Sequence, residues 1–298
     1  MFPIATKIIG SREELIQSYV DQVNSLETTD FAPKPTNSFR FCSYNVKFFK
    51  FKNYTSADVK LFIDKINPDA FSLIEYDNKY DNDFKYNNNN SNHILFEQLP
   101  GYGILTAYNT FDVNNGNYSL QCLDKVGTLD NKRQGKLNEL KGFTHMSIKH
   151  NEVTINIFTI HLDVCDESGN TRLQEIKDLY EYIIKKTFKN VIILGDFNEW
   201  YLKKTDATYD DSLLDFKQRT GLEHFSTKTH DFLLQHNFTN VFHLKNKSPK
   251  FSCWSGKLVD FCYLFKDSWS SSVGIKNIYM PFIPYSDHLP IIIDIISS

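Results

Sequence analysis

Residues 191–198 have the sequence VIILGDFN, which is the most informative stretch of the chain. The four apolar residues 191–194 predict a short strand that is buried on both faces. The strand ends at Gly195, and the polar residues Asp196 and Asn198 follow directly. Because residues within a core strand are committed to packing, polar side chains at its end are available to build a site. The stretch therefore predicts a core strand that delivers a carboxylate and an amide to one edge of a sheet.

Polar residues follow apolar runs at several other points of the chain. They are found at Asn45, at Glu75, at His161 and at the pair Asp287-His288. Taken singly, each has an ordinary structural explanation as a turn residue, a solvated loop start, a hydrogen-bonded histidine or a cap. At this level, the structural explanation and a shared polar site both remain open.

Short strands alternate with amphipathic helices from residue 38 onward. Apolar periodicity predicts strands at 39–45, 70–75, 102–108, 118–123, 143–149, 153–162, 191–194, 258–265, 273–279 and 290–295, and helices at 55–67, 171–186, 212–220 and 229–236. Residues 81–92, which include the asparagine run 87–90, predict a polar loop. Many strands and few helices favour largely antiparallel sheets with helices on their outer faces. We therefore predict an α/β fold of largely antiparallel sheets flanked by helices.

The N-terminal part of the chain has a different pattern from the remainder. Ser11 and Glu14 match a capping box, and apolar residues recur on one face through residue 27, which predicts a helix at 11–27. A proline-containing stretch then separates this helix from the first strand. We predict an N-terminal helical extension at residues 1–36 and a single catalytic domain at residues 37–298.

Composition excludes several classes of protein. A net charge of −3 and a pI near 6.3 disfavour a simple nucleic-acid coat protein, since phosphate contacts usually require a basic surface. Five cysteines without C-x-x-C spacing disfavour a disulfide scaffold and a structural zinc site. No segment approaches eighteen consecutive apolar residues, and no secretion signal is evident. We therefore expect a soluble intracellular protein, in the cytoplasm or nucleus, that is not secreted and does not bind membranes.

The chain resembles the endonuclease/exonuclease/phosphatase family, which includes pancreatic deoxyribonuclease, apurinic endonucleases and 5′-tyrosyl-DNA phosphodiesterases. The resemblance is carried by SYNV at 43–46, PDAFSLIE at 68–75, His161-Leu162 with Arg172 eleven residues on, GDFN at 195–198, VDF at 259–261 and SDHLP at 286–290. It extends over residues 39–295. It implies a two-layer β-sandwich flanked by helices, with a metal site where strand ends of both sheets meet. The G-D-x-N and S-D-H elements are specific when they occur together in this order, whereas either alone is weak.

The resemblance implies a divalent cation, Mg²⁺ or Mn²⁺, as the cofactor. It assigns Asn45 and Glu75 as metal ligands, with Asp287 completing the metal or water network. Oxygen ligands from an amide and a carboxylate suit a hard cation of this kind, whereas zinc usually takes His or Cys.

The resemblance also implies the catalytic roles. Asp196 matches the residue that activates or orients the attacking water, and Asn198 matches one that hydrogen-bonds the phosphate. His288, oriented by Asp260, would contact the phosphoryl oxygens, and His161 would be a second phosphate contact. These residue types suit hydrolysis of an anionic diester, which needs a base for water and positive charge near the phosphate.

Four departures from the family pattern loosen assignment to a subfamily. Ile74 replaces a Gln before the metal Glu, Leu258 replaces an Arg before Asp260, and Glu175 replaces a Gln after Arg172. Apurinic endonucleases typically have a Trp before this Asn and a Gly after it, whereas Asn45 follows Tyr44 and precedes Val46-Lys47-Phe48. None of these changes removes a residue to which the resemblance assigns chemistry.

We expect hydrolysis of a phosphodiester bond in nucleic acid, with DNA favoured over RNA, by a monomeric enzyme. Candidate substrate-binding residues are Arg172, Trp200 and Trp254, with Lys203 and Lys204 beside Trp200 and a second basic stretch at 132–141. For Trp200 the alternative is a partly buried ring, and for the lysines it is solvated side chains. For Arg172 the alternatives are a solvated side chain and a structural tie to the site. Two other functions remain open: a lipid or inositol phosphate hydrolase of the same family, and a catalytically silent binding module.

Overall fold

The computed structural model describes residues 32–84, 92–108, 118–122, 141–150, 153–164, 166, 168–201, 213–214, 217, 225–247, 249, 252–253 and 257–297. The predicted N-terminal helix at 11–27 lies outside these residues, as does most of the predicted helix at 212–220. The division into an extension and a single domain therefore stays a prediction.

Within the described ranges, twelve strands form two sheets of six. They are β1 (Ser38–Asn45), β2 (Ala70–Asp77), β3 (Asn92–Leu99), β4 (Tyr102–Tyr108), β5 (Tyr118–Cys122), β6 (Phe143–His150), β7 (Val153–His161), β8 (Val191–Asp196), β9 (Phe238–Asn240), β10 (Asp260–Phe265), β11 (Val273–Tyr279) and β12 (Ile291–Ser297). The first sheet has the order β11-β12-β1-β2-β4-β3, and the second has the order β5-β6-β7-β8-β10-β9. The predicted sandwich of largely antiparallel sheets is confirmed.

The strands form because their side chains alternate between two buried surfaces. On β1, Phe39 and Phe41 face the core between the sheets, whereas Cys42 and Tyr44 face the helix that covers the sheet from outside. Both faces of β1 are therefore buried, which explains why the strand lacks an exposed polar face. Burial raises the thiol pKa of Cys42 and Cys262, which are both fully buried core residues.

Helices cover the outer face of each sheet. The helices are α1 (Ser56–Ile66), α2 (Asp81–Phe84), α3 (Asn170–Lys185), α4 (Lys228–Gln235) and α5 (Val241–Leu244). Helix α1 packs Val59, Phe62 and Ile63 against the first sheet, and α3 packs Ile176 and Leu179 against the second. The molecule thus has four layers, with a helix layer on each side of the paired sheets. Within the part of the chain that is described, no helix has the length and apolar character needed to span a bilayer.

A buried chain of hydroxyl groups joins the two sheets. The Oγ of Ser72 on β2 lies 2.5 Å from the Oγ1 of Thr106 on β4, and Thr106 lies 2.7 Å from Thr144 on β6. Thr159 on β7 donates to Ser72 at 2.9 Å, which completes the connection. Hydrogen bonds of this kind satisfy polar groups that would otherwise be costly to bury, and they fix how the sheets face each other.

Two parallel strand pairs determine where polar side chains collect. Strand β1 runs parallel to β2 in the first sheet, and β7 runs parallel to β8 in the second. The carboxyl ends of neighbouring parallel strands lie at one edge, so Asn45 is near Glu75 and His161 is near Asp196. The prediction that strand ends of both sheets meet is tested at this edge.

The structure contains strands that the sequence pattern did not reveal. Strand β3 follows the asparagine-rich stretch and lies at the edge of the first sheet, and β9 has only three residues. Short and edge strands have weak alternation because much of their surface is not packed. The omission matters because β3 contributes a side chain to the site.

Candidate active site

Asn45 connects the polar ends of the two sheets. Its Nδ2 donates to Glu75 Oε1 at 3.2 Å and to Asp196 Oδ2 at 3.0 Å. Its Oδ1 accepts from the backbone N–H of Lys47 at 3.1 Å. Asn45 therefore directs its nitrogen, and not the oxygen expected of a metal ligand, toward the two carboxylates.

Glu75 lies at an irregularity in β2. Its φ of 54° is left-handed, and the pairing of β2 with β4 shifts register between Leu73 and Tyr76. A non-glycine residue in this region costs about 1–3 kcal/mol, and such strain is common at functional sites. Burial raises the pKa of the Glu75 carboxyl, and the nearby Asp287 acts in the same direction, whereas His288 and the Asn45 hydrogen bond oppose them.

Asp196 lies at the centre of the polar cluster and is only 1% exposed. Its Oδ1 accepts from the backbone N–H of Asn198 at 2.8 Å, which fixes the carboxylate at the end of β8. Burial raises the pKa of Asp196 to about 7, with further increases from Asp260 and Glu75, while His288 opposes them. A carboxylate with a pKa near neutrality is suited to accept a proton from water.

Gly195 permits the close approach of β7 and β8 beneath this carboxylate. Its φ is 134°, and a Cβ at this position would lie 2.2 Å from the carbonyl oxygen of Ile160. Only glycine avoids this collision, so the G-D sequence is required by the backbone as well as by the site.

His288 and Asp260 form a hydrogen-bonded pair, as the family resemblance implies. His288 Nδ1 lies 2.8 Å from Asp260 Oδ2, and its Nε2 lies 3.8 Å from Asp196 Oδ2. Burial acts to lower the pKa of His288, but Asp260 and Asp196 outweigh it and raise the pKa well above the usual value. These carboxylates therefore favour the protonated form of His288.

Ser252 orients Asp260, and sequence reasoning did not identify it. Its Oγ accepts from the backbone N–H groups of Val259 and Asp260, each at 2.9 Å. The side chain is fully buried. No local sequence signal distinguishes this serine, because its role depends on residues seven and eight positions later.

His161 reaches the cluster from the end of β7. Its Nδ1 lies 3.0 Å from Gln98 Oε1, and its Nε2 lies 3.7 Å from Glu75 Oε1. Since an amide oxygen can only accept, this contact places a proton on Nδ1 and turns Nε2 toward Glu75. Gln98 belongs to β3 and was missed along with that strand.

The donor set is compatible with a divalent cation. Among the described residues, one oxygen or nitrogen atom from each of Glu75, His161 and Asp196 lies within 4.8 Å of the others, and the same holds for Asp196, Asp260 and His288. Glu75 and Asp196 each have a raised pKa, and the charge of Glu75 adds to the increase at Asp196. A cation between these carboxylates would offset their mutual repulsion, so the residues present fit the implied metal.

Asp287 is paired with a lysine in this structure. Lys47 Nζ donates to Asp287 Oδ2, and Ser286 lies beside the other carboxylate oxygen. Lys47 and the next two residues form a 3-10 turn with φ values of 46°, 56° and 55°. This left-handed turn brings the lysine from the end of β1 to the S-D-H segment.

Arg172 lies beneath the site and not on its rim. It is 4% exposed, its Nη1 donates to the carbonyl of Asp163 at 3.0 Å, and its Nε lies 3.6 Å from Glu199 Oε1. Asn198 is held nearby, with its Nδ2 donating to the carbonyl of Leu162 at 3.0 Å. The expectation that Arg172 contacts substrate is therefore corrected. Its guanidinium is buried and supports the segments that follow His161 and Asp196.

Trp200 is not an exposed stacking surface. It is 7% exposed and packs on Phe225 with ring centroids 5.4 Å apart, and Lys257 Nζ lies 5.4 Å from its ring. The expectation that Trp200 stacks on substrate is thus wrong, since the ring is covered. Trp254, Lys203 and Lys204 lie outside the described residues.

Lys141 is also buried, at 2% exposure, so it is not part of a solvated basic rim. Its positive charge lowers the pKa values of Glu75 and Glu175 against the effect of burial. The remaining basic residues of the stretch at 132–141 lie outside the described residues.

Glu175 gives a prediction for the pH dependence of stability. Burial raises its pKa to about 7, so the folded state keeps a proton that the unfolded state loses near pH 4.3. The free energy of unfolding should therefore fall as pH rises through this window, and Glu175→Gln should remove this pH-dependent loss, about 4 kcal/mol at most. Urea unfolding between about pH 5 and pH 8 measures it. Glu181→Gln, an exposed change on the same helix, is the control, and parallel curves for wild type and Glu175→Gln would contradict the assignment.

The fold matches that of known proteins, although the sequence does not. No protein-family model matches the chain, and no curated protein matches it significantly. The human Nocturnin catalytic domain is similar with a TM-score of 0.54 and 15% identity, over 90% of this chain and 97% of that one. D. rerio TDP2, in complex with a single-stranded DNA product, has a TM-score of 0.55 and 15% identity, over 87% and 98%.

A phosphatase has the same architecture. The mannosyl-6-phosphatase of Bacteroides thetaiotaomicron has a TM-score of 0.57 and 13% identity, over 87% of this chain and 100% of that one. A protein from the same species described as an endonuclease/exonuclease/phosphatase family protein is similar over 87% of this chain, with a TM-score of 0.53 and 14% identity. The chain therefore has the endonuclease/exonuclease/phosphatase fold.

Proposed function

We propose that this chain is a metal-dependent phosphodiesterase that hydrolyses nucleic acid with an activated water. The observation that carries the proposal is the position of Asp196, which is linked through Asn45 to Glu75 on one side and approaches His288 on the other. A base, a cation-binding carboxylate and a protonated histidine thus surround one point. This is the set of groups that hydrolysis of a phosphate ester requires.

The residues divide the reaction between them. Asp196 accepts a proton from the attacking water, and its pKa near 7 makes it a competent base at neutral pH. His288, held protonated by Asp260, donates a hydrogen bond from Nε2 to the phosphoryl or leaving oxygen as negative charge grows. Asn198 and His161 would contact the phosphate from the adjacent strand ends.

A divalent cation would be held by Glu75, with Asn45 and Asp287 beside the carboxylate. When bound, it supplies positive charge that stabilises the phosphoryl oxygens. Asn45 keeps Glu75 and Asp196 close together through its amide nitrogen, so the carboxylates are in place before substrate arrives. The left-handed backbone at Glu75 also helps to fix the position of its carboxylate.

Nucleic acid is the preferred substrate class, with DNA before RNA. The similarity to TDP2, whose structure contains a single-stranded DNA product, supports it. The second candidate is a phosphomonoester of a sugar or an inositol, which the similarity to a mannosyl-6-phosphatase favours. Initial rates on single-stranded DNA, duplex DNA, RNA, mannose 6-phosphate and an inositol polyphosphate distinguish them. A clear preference for either phosphomonoester would overturn the nucleic-acid assignment.

The metal requirement is tested by chelation and by a change at Glu75. We expect turnover to stop in excess EDTA and to return with Mg²⁺ or Mn²⁺. Because a ligand that binds only the folded state raises stability, Mn²⁺ should also raise the Tm of the wild type but not of Glu75→Ala. Full turnover in EDTA, or an equal Tm increase in both proteins, would contradict the assignment.

A further inference from the structure

We propose that Phe48, Tyr102 and Lys50 form a platform that stacks an unpaired base of single-stranded nucleic acid and contacts its phosphate, next to the candidate site. The inference rests on the proposed function and names the side from which the strand enters. The platform takes the stacking role that was expected of Trp200, whose ring is buried.

The platform is attached directly to the site. Residues 47–52 have the sequence KFFKFK, and they follow Asn45 after a single residue. The N–H of Lys47 donates to Asn45 Oδ1 at 3.1 Å, and that of Val46 donates to the Ile74 carbonyl at 2.9 Å. Lys47 Nζ also contacts Asp287. A ligand that rests on this turn therefore lies next to the segments that carry Glu75 and His288.

The aromatic surface is composed of two rings from different parts of the chain. Phe48 packs edge-to-face on Tyr102, with centroids 5.2 Å apart, and both side chains are half-buried. Tyr102 begins β4 opposite Asp77, two residues beyond Glu75 on β2. The fold thus supports Phe48 from below and places it at the same edge as the site.

Positive charge accompanies the rings. Lys50 is exposed, and its Nζ lies 5.9 Å from the centroids of both Phe48 and Tyr102. Lys52 is exposed on the same turn. Alternating cations and aromatic rings suit a ligand that alternates phosphates and bases, and stacking requires no particular base sequence. A small sugar phosphate has no aromatic base to stack on the rings.

The left-handed turn gives a second reason to assign a ligand to this loop. Lys47, Phe48, Phe49 and Lys52 all have positive φ, and none of them is glycine. A backbone of this kind persists only where surrounding contacts impose it, and it is common at ligand clamps. Here it turns Phe48 and Lys50 toward Tyr102, whereas a regular strand extension would carry them away from the edge.

The test compares two labelled strands that differ only in their bases. Fluorescence anisotropy would measure the Kd of single-stranded DNA and of an abasic strand of equal length, in EDTA, with the strands checked for integrity afterwards. Phe48→Leu should weaken binding of the base-bearing strand about 10-fold and of the abasic strand less than about 2-fold, since only the former can stack. Phe48→Tyr should restore binding. Lys50→Gln should weaken both strands alike and reduce the slope of log Kd against log salt by about 0.7.

The chain provides a matched control. Lys177 lies 5.9 Å from the ring of Phe232, which packs edge-to-face on Tyr180, so the same arrangement occurs on the outer helices. Phe232→Leu and Lys177→Gln should leave both Kd values unchanged. If Phe48→Leu leaves both Kd values unchanged, or weakens binding of the two strands equally, the platform is wrong while the proposed function stands. If the wild type neither binds nor cleaves DNA or RNA but hydrolyses a phosphomonoester, the proposed function itself is wrong.

Discussion

Asp196→Asn is expected to lower turnover by about 10²-fold or more, while the protein remains folded. An amide cannot accept the proton of the attacking water. Its NH₂ group would also face the Asn45 amide nitrogen, which now donates to Asp196 Oδ2 at 3.0 Å. Single-turnover rates at saturating metal measure the effect, and circular dichroism and Tm report on folding.

Asp77→Asn is the matched control for this variant. Asp77 is also buried at a strand end, and its Oδ1 accepts the backbone N–H two residues later, from Lys79 at 3.2 Å. The corresponding bond at Asp196 comes from Asn198. We expect near-wild-type turnover from Asp77→Asn. Equal losses in both variants would show that strand-end packing, and not base chemistry, explains the effect of Asp196.

His288→Ala is the second substitution with a large expected effect, again a loss of about 10²-fold or more. It removes the positive charge that Asp260 and Asp196 stabilise next to the reacting phosphate. His236→Ala, which changes a half-buried histidine on the outer face of the second sheet, is the control. Near-wild-type turnover in His288→Ala would exclude the role assigned to this residue.

Asp260→Asn separates charge from position. The variant keeps His288 but removes the carboxylate that raises its pKa, so the protonated form should be lost at a lower pH. The alkaline limb of the pH–rate profile is therefore expected to move to lower pH. An unchanged limb would show that another group, and not His288, controls the rate at high pH.

Much of the site could be predicted because its chemistry lies in short segments. GDFN places Asp196 and Asn198 at the end of a strand whose apolar residues are contiguous, and the structure has that strand at Val191–Asp196. Asp260 and His288 were paired through the family resemblance, and the two side chains are in contact. The number and spacing of apolar runs predicted antiparallel sheets with outer helices, and the family resemblance implied that they form a sandwich.

The parts that failed depend on contacts between distant segments. Gln98 lies on an edge strand whose alternation is weak, and its role arises from His161, 63 residues later. Trp200 is covered by Phe225, and Arg172 is buried by its contacts with Asp163 and Glu199. A local pattern cannot show whether a large side chain is covered, because burial depends on how separate elements pack.

The position of β1 has a consequence for biosynthesis. This strand lies between β2, which follows it closely in the chain, and β12, with Ser38 opposite Ile296. A nascent chain therefore cannot complete the first sheet until the ribosome has added residues 291–297. His288 also emerges late, so an unfinished copy contains Asn45, Glu75 and Asp196 without the histidine that would complete the site. Long-range pairing of this kind also slows folding. Premature termination should thus yield fragments in which the site is incomplete.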